Sequence, residues 1–154
     1  MKKILIALDY NHAGEKVAET GYELARTAHA DIILAHVMTD PAYYAIGYSP
    51  IMGYTGAYTD GTVAVVNDLK KEAWKFLAAA ARHLGNEKIK TKVLEGDIET
   101  AIIDYGKNCD ADLIVLGSHS HKGFDRLFVT DVAAQVLRHS TIPVFIIPTM
   151  KDLN

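Results

Sequence analysis

Short, continuously apolar runs alternate along this chain with stretches whose apolar residues return at helical spacing. Ile4 to Leu8 is apolar between Lys2, Lys3 and Asp9, which predicts a buried strand. Beyond the turn YNHAG, Val17, Gly21, Leu24, Ala25 and Ala28 fall on one helical face. Ile32 to Val37 predicts a second strand. From Met38 to about Gly61 no period emerges, and the segment holds five tyrosines. A helix follows, with Ala73, Phe76, Leu77, Ala80 and Leu84 on one face and Gly85 placed to end it. Lys90 to Leu94 predicts a third strand, more polar than the others and therefore nearer a sheet edge. Asp97 is placed to cap a helix that carries Ile98, Ala101, Ile102 and Tyr105. Leu113 to Leu116 is a fourth apolar strand. The loop GSHSHKGFDRLFVTD then leads to a helix with Val132, Ala133, Val136 and Leu137, and Val144 to Ile147 lies between Pro143 and Pro148 as a fifth strand.

Runs that are apolar rather than alternating are the mark of strands covered on both faces, as in a parallel sheet. Right-handed crossovers make such an α/β sheet doubly wound, of Rossmann-like type. The expected architecture is a five-stranded parallel sheet in a single domain spanning 1–154, with 38–61 as a long loop insertion. In such a sheet, ligands bind at the carboxyl ends of the strands, where the winding reverses. That singles out Asp9, Asn11 and His12, then Met38 and Thr39, Gly96 and Asp97, and Gly117 to His121.

Composition narrows the partners. With 49% hydrophobic and 23% charged residues over 154 positions, the chain is an ordinary globular one, and its net charge of -3 gives no electrostatic reason to bind nucleic acid or an anionic membrane. The single cysteine, Cys109, excludes an internal disulfide and suits a reducing compartment. The apolar run after Lys2 and Lys3 is too short for a signal peptide, and no stretch reaches membrane length, so a cytoplasmic location is expected.

Four segments carry a family resemblance: ILIALD, AHV, EGDIETAIIDYGKNCDADLIVLGSHS and VLRHSTIPVFIIP. Together they resemble the universal stress protein family over nearly the whole chain, which implies an adenine nucleotide alpha hydrolase-like fold and a stress-response role. In nucleotide-binding members of the family, the fourth strand is followed by spaced glycines and a Ser or Thr. Glycine lets backbone N–H groups approach phosphate oxygens, and a helix N-terminus adds further donors. Here the first glycine is kept as Gly117, but Ser120, Thr130 and Asp131 stand at the other three positions. A carboxylate at Asp131 can cap the helix itself and repels phosphate, by roughly 1 kcal/mol in water and about 4 kcal/mol at a protein surface. A Mg²⁺ ion bridging Asp131 and a phosphate would act the other way. The resemblance thus implies ATP or AMP as ligand, with weakened or lost grip on the ATP phosphates.

By the same resemblance Asp9 meets the ribose, Val37 meets the adenine through its backbone, and Ala7, Leu8 and Leu116 line the cleft, with Val132 opening the helix beyond the phosphate loop. Asp9 also suits a plain turn after a strand, and Val37 an ordinary core position. The resemblance further implies a homodimer in which Val144, Phe145, Ile146 and Ile147 pair with their own copy. An apolar edge strand needs such covering, and a two-fold dimer supplies it.

Four histidines, His12, His36, His119 and His121, fall near the carboxyl ends of three strands and could with Asp9 hold Zn²⁺. The competing reading is imidazoles hydrogen-bonded to backbone. Ser118 and Ser120 flank His119 without any sign of a paired base held by an orienting group, so no catalytic residue is assigned. The expected function is that of a non-enzymatic regulator acting on a protein client, with an ATP/AMP-binding switch as the alternative.

Overall fold

The computed structural model describes residues 1–10, 13–38, 60–118 and 132–149. Strands β1 (Lys3–Ala7), β2 (Asp31–Met38), β3 (Lys90–Glu95), β4 (Leu113–Gly117) and β5 (Val144–Ile147) form one sheet in the order β3-β2-β1-β4-β5. Every neighbouring pair is parallel. The described helices are α1 (Ala13–Thr27), α2 (Asp60–His83), α3 (Ile98–Asn108) and α4 (Val132–His139). The fold is therefore the doubly wound, five-stranded α/β domain that the apolar runs predict.

Side-chain alternation divides the core in two. Ile4 and Ile6 of β1, Leu34 of β2 and Val115 of β4 point to one face, where Val17, Ala18 and Ala25 of α1 and Leu77 and Ala81 of α2 cover them. Leu5, Ile33, Ala35, Ile114 and Leu116 point to the other face, beneath Ile102 and Ile103 of α3 and Ala133 and Val136 of α4. The winding reverses between β1 and β4, and in doubly wound sheets ligands bind at the carboxyl ends of the strands beside such a reversal.

Three expectations need adjustment. The first strand is one residue earlier than its apolar run, ending at Ala7 with Leu8 outside it. The helix before β3 starts at Asp60, which trims the expected loop insertion, while 39–59 lies outside the described residues. Leu137 is 56% exposed, while Ala133 and Val136 are the buried residues of the short α4. The two edges differ as expected from their composition: β3 exposes Lys90, Lys92 and Glu95, whereas β5 exposes Phe145.

Candidate functional site

The candidate site is the region where the ends of β1, β2 and β4 meet the connections to the starts of α1 and α4, the place where doubly wound sheets bind ligands. Ala7, Val37, Leu116 and Val132 all belong to the α3 and α4 side of the sheet, with Val37 and Leu116 buried and Ala7 and Val132 half-buried. Leu8 departs from the expected lining. Its side chain is buried on the opposite face, with Val17 and Leu77. Asp9 is half-buried at the rim, and its carboxylate Oδ1 accepts the Tyr10 backbone N–H at 2.8 Å. That contact is a local turn, and it coexists with further interactions of Asp9. Ser120, Thr130, Asp131, His12, His119 and His121 lie outside the described residues.

Two close approaches fix the backbone here. A Cβ built on Gly14 would sit 2.4 Å from the Asp9 carbonyl oxygen. No side chain fits there, so the start of α1 is pressed directly onto the turn after β1. A Cβ on Gly117 would meet Thr149 Cγ2 and Val17 Cγ2, each at 3.0 Å. The chain just past β4 is tied to the end of β5: Ser118 N–H donates to Ile147 O at 2.9 Å, and Thr149 N–H donates to Ser118 Oγ at 3.0 Å. Lys16 of α1 adds a bond to Pro148 O at 2.7 Å. A side chain at Gly117 would thus crowd Thr149, just past β5, and Val17 of α1, a reason for glycine distinct from the phosphate approach that its place in the motif suggests. Gly14 and Lys16 escaped the sequence reading. The only trace of Gly14 was a glycine standing where a helix was about to begin.

His36 is 6% exposed, and its Nδ1 donates to Leu8 O at 2.8 Å. The backbone-bonded reading thus describes His36, and that nitrogen is not available to a metal. Among the described residues, the group of three metal-capable side chains is a different one, Glu15, Glu19 and His83, all exposed. His83 Nε2 lies 2.8 Å from Glu19 Oε1 and 3.3 Å from Glu15 Oε1. The hydrogen bond to Glu19, with the charges of Glu15 and Glu19, raises the His83 pKa against a smaller opposing effect of desolvation. Cys109 is a free, half-buried thiol that donates to Gly106 O, and burial raises its pKa. No described helix is long and apolar enough to cross a membrane.

The fold recurs in known proteins. A universal stress protein of Methanocaldococcus jannaschii, MJ0531, is 26% identical over 153 residues, covering 97% of this chain and 84% of that protein. Among solved structures, the hypothetical protein MJ0577 superimposes with a TM-score of 0.75 at 19% identity, covering 98% of both chains. A universal stress protein in complex with cAMP superimposes with a TM-score of 0.62 at 18% identity, covering 97% of this chain and 98% of that one. The sequence profile of the universal stress protein family matches residues 1–148, from ahead of β1 to just past β5, and the chain belongs to that family.

Proposed function

We propose that this protein is a non-enzymatic, dimeric, cytoplasmic stress-response regulator whose crevice holds the adenosine part of a nucleotide and grips phosphates beyond the first weakly. The observation that carries this reading is a contrast between the two halves of one site. On the adenosine side, Ala7, Val37, Leu116 and Asp9 stand together at the carboxyl ends of β1, β2 and β4. On the phosphate side, Ser120, Thr130 and Asp131 replace the small residues and hydroxyl of the family's cradle. A structural neighbour in complex with cAMP, a nucleotide with a single phosphate, supports the same division. The chemistry on offer is recognition: the Ser118 hydroxyl is within hydrogen-bonding distance of Thr149, and the His36 imidazole is engaged by a backbone carbonyl.

Dimerisation through β5 is part of this proposal. Parallel-sheet edges are usually blunted by charge, as β3 is by Lys90 and Lys92, whereas β5 has Phe145 42% exposed and no charged residue. Phe145→Lys is expected to convert a dimer to a monomer in light scattering.

Calorimetric titration of AMP and ATP, each with and without Mg²⁺, tests the nucleotide reading. AMP is expected to bind at least as tightly as ATP, and Thr130→Gly with Asp131→Ser is expected to gain ATP affinity selectively. Wild-type protein that prefers ATP–Mg²⁺ by tenfold or more would overturn this reading in favour of an ATP-dependent switch with Asp131 as a magnesium ligand.

A further inference from the structure

We propose that His36 is a positioning residue of this crevice: one buried imidazole holds both chain neighbours of Asp9, so ligand affinity depends on a side chain that touches no ligand. The inference rests on the reading of the Asp9 turn as part of the nucleotide site.

Among the described residues His36 is the polar side chain buried below a tenth exposure, at 6%. A buried polar group left unpaired is costly, so its hydrogen bond to the backbone matters. That bond runs from Nδ1 to Leu8 O at 2.8 Å. A carbonyl oxygen can only accept, so Nδ1 carries the proton. The β1–β2 register ends with Ala7 opposite Ala35, and Leu8 N–H still donates to Ala35 O at 2.8 Å. The next acceptor along a parallel ladder would be Leu8 O, and a side chain from β2 takes it. The strand is thereby released from the sheet at the residue before Asp9.

The other neighbour is held by the ring. Tyr10 packs on His36 with centroids 4.3 Å apart, and Phe76 of α2 closes the cluster at 4.7 Å from Tyr10 and 5.5 Å from His36. Asp9 is thus strung between Leu8, fixed by hydrogen bonding, and Tyr10, fixed by ring packing, with one imidazole serving both. Gly14 fixes the Asp9 carbonyl from the third side. A turn ordered in advance avoids the cost of ordering it on binding.

Two substitutions separate the bond from the ring. His36→Phe keeps a ring and removes the donor, whereas His36→Asn places an amide N–H where Nδ1 stands. AMP affinity is expected to fall roughly five- to tenfold in His36→Phe and to recover to within about threefold of wild type in His36→Asn. Equal affinity in wild type and His36→Phe would overturn the proposal, and so would equal losses in both variants with no faster exchange at Asp9 or Tyr10. Amide hydrogen exchange at Asp9 and Tyr10 in the nucleotide-free protein distinguishes this from failure of the nucleotide reading. If wild type binds neither AMP nor ATP yet exchange accelerates in His36→Phe alone, the crevice assignment falls and the positioning stands. Unchanged exchange in His36→Phe would remove the positioning role itself.

Discussion

The carbonyl oxygen of Asp9 occupies the place where a side chain on Gly14 would begin, 2.4 Å from a Cβ built there. Both partners belong to backbone-defined elements, the turn after β1 and the first turn of α1, so neither can swing aside as a flexible side chain would. Gly14→Ala is therefore expected to push the helix start and the Asp9 turn apart. A destabilisation of about 1–3 kcal/mol should appear as an earlier urea unfolding midpoint, with nucleotide binding reduced further. An unchanged midpoint would mean that the turn has slack.

At Gly117 the obstruction is side chain rather than backbone, which makes it relievable. An added Cβ would press on Thr149 Cγ2 and Val17 Cγ2 at 3.0 Å. Gly117→Ala is expected to cost roughly 1–2 kcal/mol. Thr149→Ser deletes the offending methyl and keeps the hydroxyl near Ser118. The pair should therefore lose less stability together than the sum of the single losses, and strict additivity in a double-mutant cycle would refute the contact.

These two glycines show where the sequence could and could not be read. The strands were legible because a parallel sheet buries both faces, leaving runs such as Leu113 to Leu116 with no polar residue in them. The five strands require no knowledge of loops, and the polar β3 pointed to its own place at an edge, whereas periodicity left the order of the other strands open. The crevice was legible as a set of strand ends and not as a set of contacts. Leu8 lies on the opposite face from Ala7 because alternation continues past the last regular residue of β1, and its carbonyl is captured by a side chain 28 positions away. A close approach such as that of Gly14 to Asp9 leaves only a glycine in the sequence, which is also what an unremarkable turn leaves.

The expected cap at Asp97 is present in full. Asp97 Oδ2 accepts the Thr100 backbone N–H at 3.0 Å and the Thr100 hydroxyl at 2.8 Å. These two bonds, the backbone one first, lower the Asp97 pKa against a smaller effect of desolvation. A carboxyl with a depressed folded-state pKa contributes stability above its unfolded value, near 3.8, and loses it as pH falls through the folded value. Asp97→Ala should cost about 0.5–2 kcal/mol at neutral pH. In strong acid the wild type and the variant should converge, and a constant gap would assign the loss to something other than the ionised cap.

The His83 contacts predict the opposite pH dependence. His83 at the end of α2 faces Glu15 and Glu19 of α1, with Arg82 beside it in sequence. The hydrogen bond to Glu19 comes first among the causes that raise its pKa above the ordinary 6.5, followed among the raising effects by the charges of Glu15 and Glu19. Because the folded-state value is the higher one, the contribution is fully present below the unfolded pKa and fades as pH rises through the folded pKa. All three side chains are exposed, so the effect is small and screened by salt. At low ionic strength, wild type should exceed His83→Gln in stability at about pH 5.5 and match it at about pH 8.5, with Glu19→Gln shrinking the difference. A gap that does not change with pH would mean that the pairing between α1 and α2 does not depend on the charge of His83.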